Sequence, residues 1–188
     1  ALVTGCNRGL GAALALAMAE AGADVAGVFH STADGVRKDI EALGRKFVGI
    51  QADVGAKGVA GGIVDAAVAK LGHVDILINN AGIIRRNDAL DFTESDWDDV
   101  MDVNLRGLFF LSQAAAKHMV LRGGGKIIHI ASMLSFQGGI RVSSYTSCKS
   151  AVAGLTKLMA NEMAQFGVQV NAIAPGYMAT DNTEALQK

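Results

Sequence analysis

Residues 4–11 read TGCNRGLG and carry three glycines between a short apolar run and an alanine-rich segment of helical character. Glycine lets the backbone of such a turn approach a pyrophosphate closely, and the free N–H groups at the start of a helix hold the anion. The spacing of Gly5, Gly9 and Gly11 differs from the common G-x-G-x-x-G pattern. The turn predicts a dinucleotide site, and a turn that only packs a helix against a strand remains the alternative.

The rest of the chain alternates short apolar runs with longer segments that can form helices. Short, nearly continuous apolar runs are typical of strands covered on both faces. Their alternation with helices predicts an α/β fold, a doubly wound parallel sheet with helices on both faces. The predicted strands are Ala1–Val3, Asp24–Phe29, Lys46–Ile50, Val74–Ile78, Lys126–Ala131 and Gln169–Ile173, and the principal predicted helices are Gly9–Ala21, Gly55–Leu71, Ser95–Leu121 and Tyr145–Phe166.

The composition excludes several classes of protein. The 17 basic and 18 acidic side chains leave a net charge of -1, which provides no overall positive field for binding nucleic acid. The two cysteines cannot form a disulfide framework for a domain of this size, and no segment is long and apolar enough to span a bilayer. We expect one cytoplasmic domain over residues 1–188 that binds neither nucleic acid nor membranes and whose sheet is incomplete.

Tyr145 and Lys149 stand four residues apart at the start of the clearest helical pattern, so their side chains project from one face. A cation beside a phenol favours the phenolate, so we expect the pKa of Tyr145 to lie below its usual value of about 10. Ser132 directly follows a predicted strand, and its hydroxyl can hold a substrate oxygen at the same edge of the sheet. A Tyr-x-x-x-Lys pair alone is weak evidence, but together with Ser132 it predicts a proton-transfer site.

The side chains that bind metals are dispersed, so we expect no metal site. The four histidines are scattered along the chain, and we interpret His129, in a predicted buried strand, as a hydrogen-bonded core residue. Cys6 and Cys148 are interpreted as small packing residues.

The residues that would meet the adenosine end of a dinucleotide leave the choice of coenzyme open. NAD-specific sites often place a carboxylate just after the second strand, but none follows Phe29 until Asp34. Arg8 can meet a 2′-phosphate or remain a solvated charge. Asp53 and Val54 follow the third predicted strand and are placed to meet the adenine edge, although an aspartate there is often only a helix cap.

Six motifs then occur in one order: residues 4–11, Asn79-Asn80-Ala81-Gly82, Asn104, Ser132, Tyr145-x-x-x-Lys149 and Pro175-Gly176. In this order and spacing the chain resembles the short-chain dehydrogenases/reductases over essentially its whole length. The resemblance implies a Rossmann-type sheet, a nicotinamide coenzyme and a homotetramer. It also implies a longer chain, because family members continue through a substrate loop, a further helix and a last strand.

The same resemblance implies roles for single residues. Tyr145 is expected to be the acid/base, and Lys149 to hold the nicotinamide ribose and lower the tyrosine pKa. Ser132 is expected to orient the carbonyl or hydroxyl group, and Asn104 to anchor a water that relays protons between Lys149 and solvent. Taken together, the glycine turn, the strand ends and the resemblance give these candidates for coenzyme binding: Gly5, Asn7, Arg8, Gly9, Leu10, Gly11, Asp53, Val54, Asn80, Ala81, Gly82, Tyr145, Lys149, Pro175 and Gly176.

Longer strings look like a narrower group, the 2-deoxy-D-gluconate 3-dehydrogenases, also described as 2-dehydro-3-deoxy-D-gluconate 5-dehydrogenases. The strings are residues 83–86, 96–101, 131–142 and 172–180. This likeness implies a sugar-acid substrate and slightly favours NAD over NADP. Two residues depart from the group's strings, because Ser143 and Cys148 stand where proline and serine are expected.

A sugar acid calls for a cation to meet its carboxylate, and the planar fork of arginine suits that group. Arg141, between Ser132 and Tyr145, is the first candidate, and Arg85 or Arg86 is the second. For each arginine, an exposed charge or an intersubunit ion pair is an equal alternative. The candidates for substrate binding are therefore Ser132, Gln137, Arg141, Arg85 and Tyr145, with Gln137 bonding sugar hydroxyls.

Two other functions remain open. A 3-oxoacyl-thioester reductase of the same family would use identical catalytic residues. A coenzyme-binding redox sensor would bind the dinucleotide without turnover, but such a sensor has no need to keep Ser132, Tyr145 and Lys149 together.

Overall fold

The computed structural model describes residues 1–178, and its centre is a sheet of parallel strands. In chain order the strands are β1 (Leu2–Thr4), β2 (Val25–Phe29), β3 (Phe47–Gln51), β4 (Ile76–Asn79), β5 (Gly125–Ile130) and β6 (Val168–Ile173). They lie side by side in the order β3-β2-β1-β4-β5-β6, so the order reverses between β1 and β4. This arrangement confirms the predicted Rossmann-type doubly wound fold. Each strand lies within two residues of its predicted bounds.

Helices cover both faces of the sheet. They are α1 (Gly9–Glu20), α2 (Asp34–Ala42), α3 (Val59–Leu71), α4 (Glu94–Met101), α5 (Leu108–Leu121) and α6 (Ser143–Met163). Side chains of α1 and α2 share one core with the sheet, and those of α3, α5 and α6 share the other. Within the described part of the chain, no helix is both long enough and apolar enough to cross a membrane.

The helices differ from the predicted ones in three places. Helix α2 was not predicted, because only Val36 and Ile40 of it are buried and two apolar residues make no visible pattern. The predicted helix Ser95–Leu121 is divided by a π-helical turn, Asp102–Gly107, and it begins at an N-cap, Thr93, whose Oγ1 accepts from Asp96 N at 3.1 Å. Helix α6 begins at Ser143 and ends at Met163, and a 3₁₀ turn follows it to Phe166.

A buried polar network joins β4, α5, β5 and α6 beneath the sheet. Asn79 Nδ2 donates to Ser112 Oγ at 2.9 Å, Ser112 Oγ lies 3.0 Å from His129 Nε2, and His129 Nδ1 lies 2.9 Å from Thr156 Oγ1. Burial, and then the charge of Lys149, lower the pKa of His129 from 6.5 to about 4. His129 is therefore a neutral, hydrogen-bonded core residue, in agreement with the sequence-based interpretation.

This network predicts a loss of stability in mild acid. Between pH 6.5 and about 4 the unfolded chain binds a proton at residue 129 that the folded chain does not bind. The free energy of unfolding should therefore decrease as the pH falls through this range, by on the order of 3 kcal/mol. Urea denaturation as a function of pH should show this slope in the wild type and in the control His73→Asn, whose imidazole is exposed. His129→Asn should lack most of the slope, and an unchanged slope would contradict the assignment.

Candidate active site

A cleft of about 380 Å³ lies at the carboxyl ends of the strands, where the strand order reverses. Every residue that the sequence analysis gave as a candidate for coenzyme binding lines this cleft, and so does Ser132. Sequence reasoning missed several other lining residues. Most of them stand at or just beyond strand ends, a position that could have pointed to them; they are Val28, Phe29, His30, Ala52, Ile83, Val103, Ile130, Ala131 and Met178.

The glycine turn leaves room for an anion at the start of α1. Gly5 and Gly9 have φ values of 64° and 52°, in the left-handed region that favours glycine. A Cβ atom on Gly11 would lie 2.0 Å from Gly5 O, so no side chain fits there. The N-cap residue is Arg8, whose side chain carries no hydrogen-bond acceptor, so the first N–H groups of α1 have no side-chain cap. These features fit a bound pyrophosphate.

Thr4 and Asn80 hold the glycine turn against the end of β4. Thr4 Oγ1 accepts from Asn80 N at 3.0 Å and from Ala81 N at 2.9 Å. Asn80 Nδ2 in turn donates to Thr4 O at 3.0 Å and to Gly5 O at 3.3 Å. These reciprocal bonds fix the floor of the cleft, and the pattern of residue types alone did not reveal the part that Thr4 plays in them.

Ser132, Tyr145 and Lys149 meet on the opposite wall of the cleft. Ser132 follows β5 and accepts a hydrogen bond from Leu134 N at 3.1 Å, and it also shares a hydrogen bond with Tyr145. Lys149 is one turn beyond Tyr145 in α6 and is 4% exposed. Its Nζ donates to Ile130 O and lies 5.6 Å from the centroid of the Tyr145 ring. The structure thus brings the three predicted residues together.

The protonation of this cluster differs from the prediction. Burial raises the pKa of Tyr145, and the hydrogen bond with Ser132 and the charge of Arg86 only partly oppose this shift. The expectation that the pKa of Tyr145 lies below its usual value is therefore wrong in this structure, because loss of solvent outweighs the favourable interactions. Burial also lowers the pKa of Lys149, from 10.5 to about 8.

Asn104 lies in the π-helical turn and is 1% exposed. Its Oδ1 accepts from Ile83 N at 2.8 Å, and its Nδ2 donates to Ile83 O at 2.8 Å. Nδ2 also lies 3.5 Å from the Sγ atom of Cys148, the residue before Lys149. The amide of Asn104 is thus occupied by the backbone of the cleft wall, and its part in a water relay remains a prediction.

The structure does not bring Gln137, Arg141 or Arg85 into the lining of the cleft. Arg141 pairs with Asp88, with 3.1 Å between Nε and Oδ1. Arg85 pairs with Asp99 at 2.9 Å and with Asp96 at 3.3 Å. Carboxylates of the chain itself therefore occupy both arginines. Of the four strings that resembled the narrower group, the last ends at Ala179 and Thr180, which lie outside the described residues.

Comparison with known proteins identifies the family. A family model described as "short chain dehydrogenase" matches residues 1–188. The chain belongs to this family. As a short chain dehydrogenase it is an oxidoreductase that acts on CH–OH groups with a nicotinamide coenzyme.

Individual relatives are also similar. The 2-dehydro-3-deoxy-D-gluconate 5-dehydrogenase of Escherichia coli K12 is 56% identical over 188 residues, which are 100% of this chain and 74% of the relative. The protein of the same name from Bacillus subtilis 168 is 51% identical over 190 residues, with the same two coverages. Among solved structures, a gluconate 5-dehydrogenase from Burkholderia cenocepacia J2315 in complex with NADP and tartrate is 38% identical, with a TM-score of 0.94, covering 100% of this chain and 74% of that one.

The buried lysine of this short chain dehydrogenase predicts a stability that rises with pH. Between pH 8 and 10.5 the unfolded chain keeps a proton on Lys149 that the folded chain has released. Relative to Lys149→Met, the wild type should therefore gain up to about 3 kcal/mol of stability as the pH increases through this range. Urea denaturation of both proteins at several pH values measures the difference. Lys157→Met, an exposed change on the same helix, is the control and should run parallel to the wild type; a pH-independent difference for Lys149→Met would contradict the prediction.

Proposed function

We propose that this protein transfers a hydride between a nicotinamide coenzyme and carbon 5 of a 2-dehydro-3-deoxy sugar acid. The observation that carries the proposal is the meeting of Ser132, Tyr145 and Lys149 in the same cleft as the glycine turn. The relatives that are more than half identical and are named for this substrate support the sugar-acid class. A more distant relative in complex with tartrate, a hydroxy acid, is consistent with it.

Tyr145 is the proposed acid/base. In the direction of reduction, its phenol donates a proton to the carbonyl oxygen while the carbonyl carbon receives the hydride, and the product is a hydroxyl group. The raised pKa of Tyr145 keeps the phenol protonated at neutral pH, which suits a donor. In the direction of oxidation, the hydrogen bond with Ser132 and the charge of Arg86 favour the phenolate that must accept the proton.

Lys149 and Ser132 are proposed to support this transfer. The hydroxyl of Ser132 shares a hydrogen bond with Tyr145 and can also hydrogen-bond the substrate oxygen that Tyr145 protonates. Because its pKa is about 8, Lys149 can exchange a proton near neutral pH and restore that of the tyrosine. When it is bound, the nicotinamide coenzyme supplies or accepts the hydride. Asn104 is proposed as a positioning residue, since its amide fixes Ile83 in the wall of the cleft.

The adenosine end of the cleft is proposed to accept NADP as well as NAD. Among the described residues that line the cleft, only Asp53, two residues beyond β3, carries a carboxylate. Beyond β2, Asp34 does not line the cleft and instead accepts a hydrogen bond from Thr32 at 2.9 Å. A carboxylate facing the ribose would repel a 2′-phosphate, so its absence from this part of the described cleft favours tolerance of both coenzymes.

A coenzyme-linked absorbance assay tests the function. The protein is supplied with 2-dehydro-3-deoxy-D-gluconate or with the corresponding diketo acid, and with either coenzyme. Turnover of these acids supports the proposal. Reduction of a 3-oxoacyl thioester with NADPH, but not of the sugar acids, would replace it with the thioester reductase. Tight coenzyme binding without turnover of any carbonyl compound would replace it with a redox sensor.

Tyr145→Phe tests the role of the phenol. The change should leave the affinity for the coenzyme nearly intact and lower kcat by about 10²–10⁴-fold, the usual contribution of a general acid/base. The matched control is Tyr177→Phe, which removes the exposed phenol of the other tyrosine and should keep most of the turnover. Retained turnover in Tyr145→Phe would assign the proton transfer to another group.

We propose that the predicted homotetramer assembles through the exposed apolar surface of the long helices α5 and α6. Phe110 and Leu121 of α5 are 47% and 88% exposed, and Leu158 of α6 is 49% exposed. Phe110 and Leu121 border a groove of about 770 Å³ between α3 and α5. Surfaces of this kind mark protein contacts. Light scattering at micromolar concentration should give the mass of a tetramer, which Phe110→Glu should reduce; a monomeric mass of the wild type would refute the proposal.

A further inference from the structure

The short turn after β5 connects the two segments that carry Ser132 and Lys149. It is a 3₁₀ turn, Met133–Ser135, and its N-cap is Ser132. Ser132 Oγ accepts from Leu134 N at 3.1 Å, and Ser135 Oγ accepts from Ser132 N at 3.3 Å, so the two serines form a capping box. Ser135 N also donates to Ser132 O at 2.9 Å. Both backbone polar groups of Ser132 are therefore bonded to residue 135.

The hydroxyl of Ser135 also reaches α6. Its Oγ donates to Lys149 O at 2.7 Å. A hydroxyl has one hydrogen and two lone pairs, so Ser135 can donate to Lys149 O and accept from Ser132 N at the same time. In the opposite direction, Ser150 Oγ donates to Ser135 O at 3.4 Å. One side chain thus joins the backbone just beyond β5 to the turn of α6 that carries Lys149.

This junction also bears on the orientation of the Ser132 hydroxyl. Because Ser132 Oγ already accepts from Leu134 N, its own hydrogen is available to the oxygen of Tyr145, with which Ser132 shares a hydrogen bond. That orientation depends on the 3₁₀ turn, and Ser135 closes the turn through its bonds to both backbone groups of Ser132. A displaced turn would therefore move the Ser132 hydroxyl away from the phenol.

We propose that Ser135 is a positioning residue that holds the hydroxyl of Ser132 and the backbone of Lys149 at the separation that proton transfer by Tyr145 requires. This inference rests on the proposed function, because it needs Tyr145 to be the acid/base. Ser135 is absent from the described residues that line the cleft, so it acts through its neighbours. Reacting atoms must lie within about 3–3.5 Å of one another, so small displacements of the groups that Ser135 holds lower the rate.

Ser135→Ala tests the assignment with 2-dehydro-3-deoxy-D-gluconate as the substrate. The change removes the hydroxyl and both of its hydrogen bonds, and it should lower kcat about tenfold to hundredfold. KM for the acid should change little, because Ser135 is not in the lining of the cleft. Ser135→Thr keeps the hydroxyl and should recover most of kcat. The matched control is Ser147→Ala, which removes an exposed hydroxyl of α6 that donates to Ser143 O at 2.9 Å and should resemble the wild type.

A double-mutant cycle separates positioning from a general loss of stability. If Ser135 acts through Ser132, Ser135→Ala should lower kcat by a much smaller factor in a Ser132→Ala protein than in the wild type. The same factor in both proteins would overturn the inference. Thermal unfolding and coenzyme titration show whether each variant is folded. If Ser135→Ala does not fold, Ser135→Cys takes its place, because a thiol is a weak donor and acceptor of similar shape.

The outcomes distinguish this inference from the proposed function. If the wild type does not turn over the acid, or if Tyr145→Phe keeps full turnover, the proposed function fails and the inference fails with it. If Tyr145→Phe loses turnover while Ser135→Ala keeps the kcat of the wild type, the inference alone is refuted. A rise in KM for the acid with unchanged kcat would also refute it, because Ser135 would then affect binding instead of the proton transfer.

Discussion

The site depends on a close backbone approach between the glycine turn, the first turn of α1 and the end of β4. A side chain at Gly11 would collide with Gly5 O at 2.0 Å and with Asn80 Nδ2 at 2.5 Å. The three segments can meet only because residue 11 has no side chain, and the hydrogen bonds of Thr4 and Asn80 then hold them there. The approach sets the depth of the cleft and leaves the N–H groups of α1 directed at its ligand.

The other wall of the cleft contains a buried cation, the ammonium group of Lys149. Lys149 is almost fully enclosed, and its pKa falls to about 8 because the ammonium group loses solvent. Its Nζ is held by Ile130 O, at the end of the strand that also positions Ser132. The charge of Lys149 in turn disfavours a proton on His129, so the network beneath β5 remains neutral. The interface between β5 and α6 therefore tolerates one buried cation, on the side that faces the cleft.

The sequence allowed the fold and the coenzyme end of the cleft to be predicted because both follow from local patterns. Apolar runs marked the strands, and parallel strands bring the residues after them to one edge, so Gly5 and Asp53 were found from position, whereas Asn80 was found through the family motif. The pKa of Tyr145 and the pairing of Arg85 and Arg141 could not be predicted in this way. The pKa depends on how much solvent the ring loses, and the pairing depends on which aspartates of distant segments reach each guanidinium. Both arise only when distant parts of the chain pack together in the fold.

The π-helical turn between α4 and α5 is an irregularity that the sequence pattern did not predict, and it determines the position of one wall of the cleft. A π turn accommodates one more residue per hydrogen-bonded turn than an α-helix, and such turns are frequent at functional sites. Gly107, at the end of the turn, lies so close to Val54 O that a Cβ atom would approach it to 2.3 Å, so this part of the helix packs directly against the loop after β3. In this position Asn104 reaches both the N–H and the C=O of Ile83, as a neighbouring strand would. A regular helix would direct the amide elsewhere and leave the backbone of Ile83 without these two hydrogen bonds. The geometry of the helix thus fixes the backbone of Ile83 in the wall of the cleft.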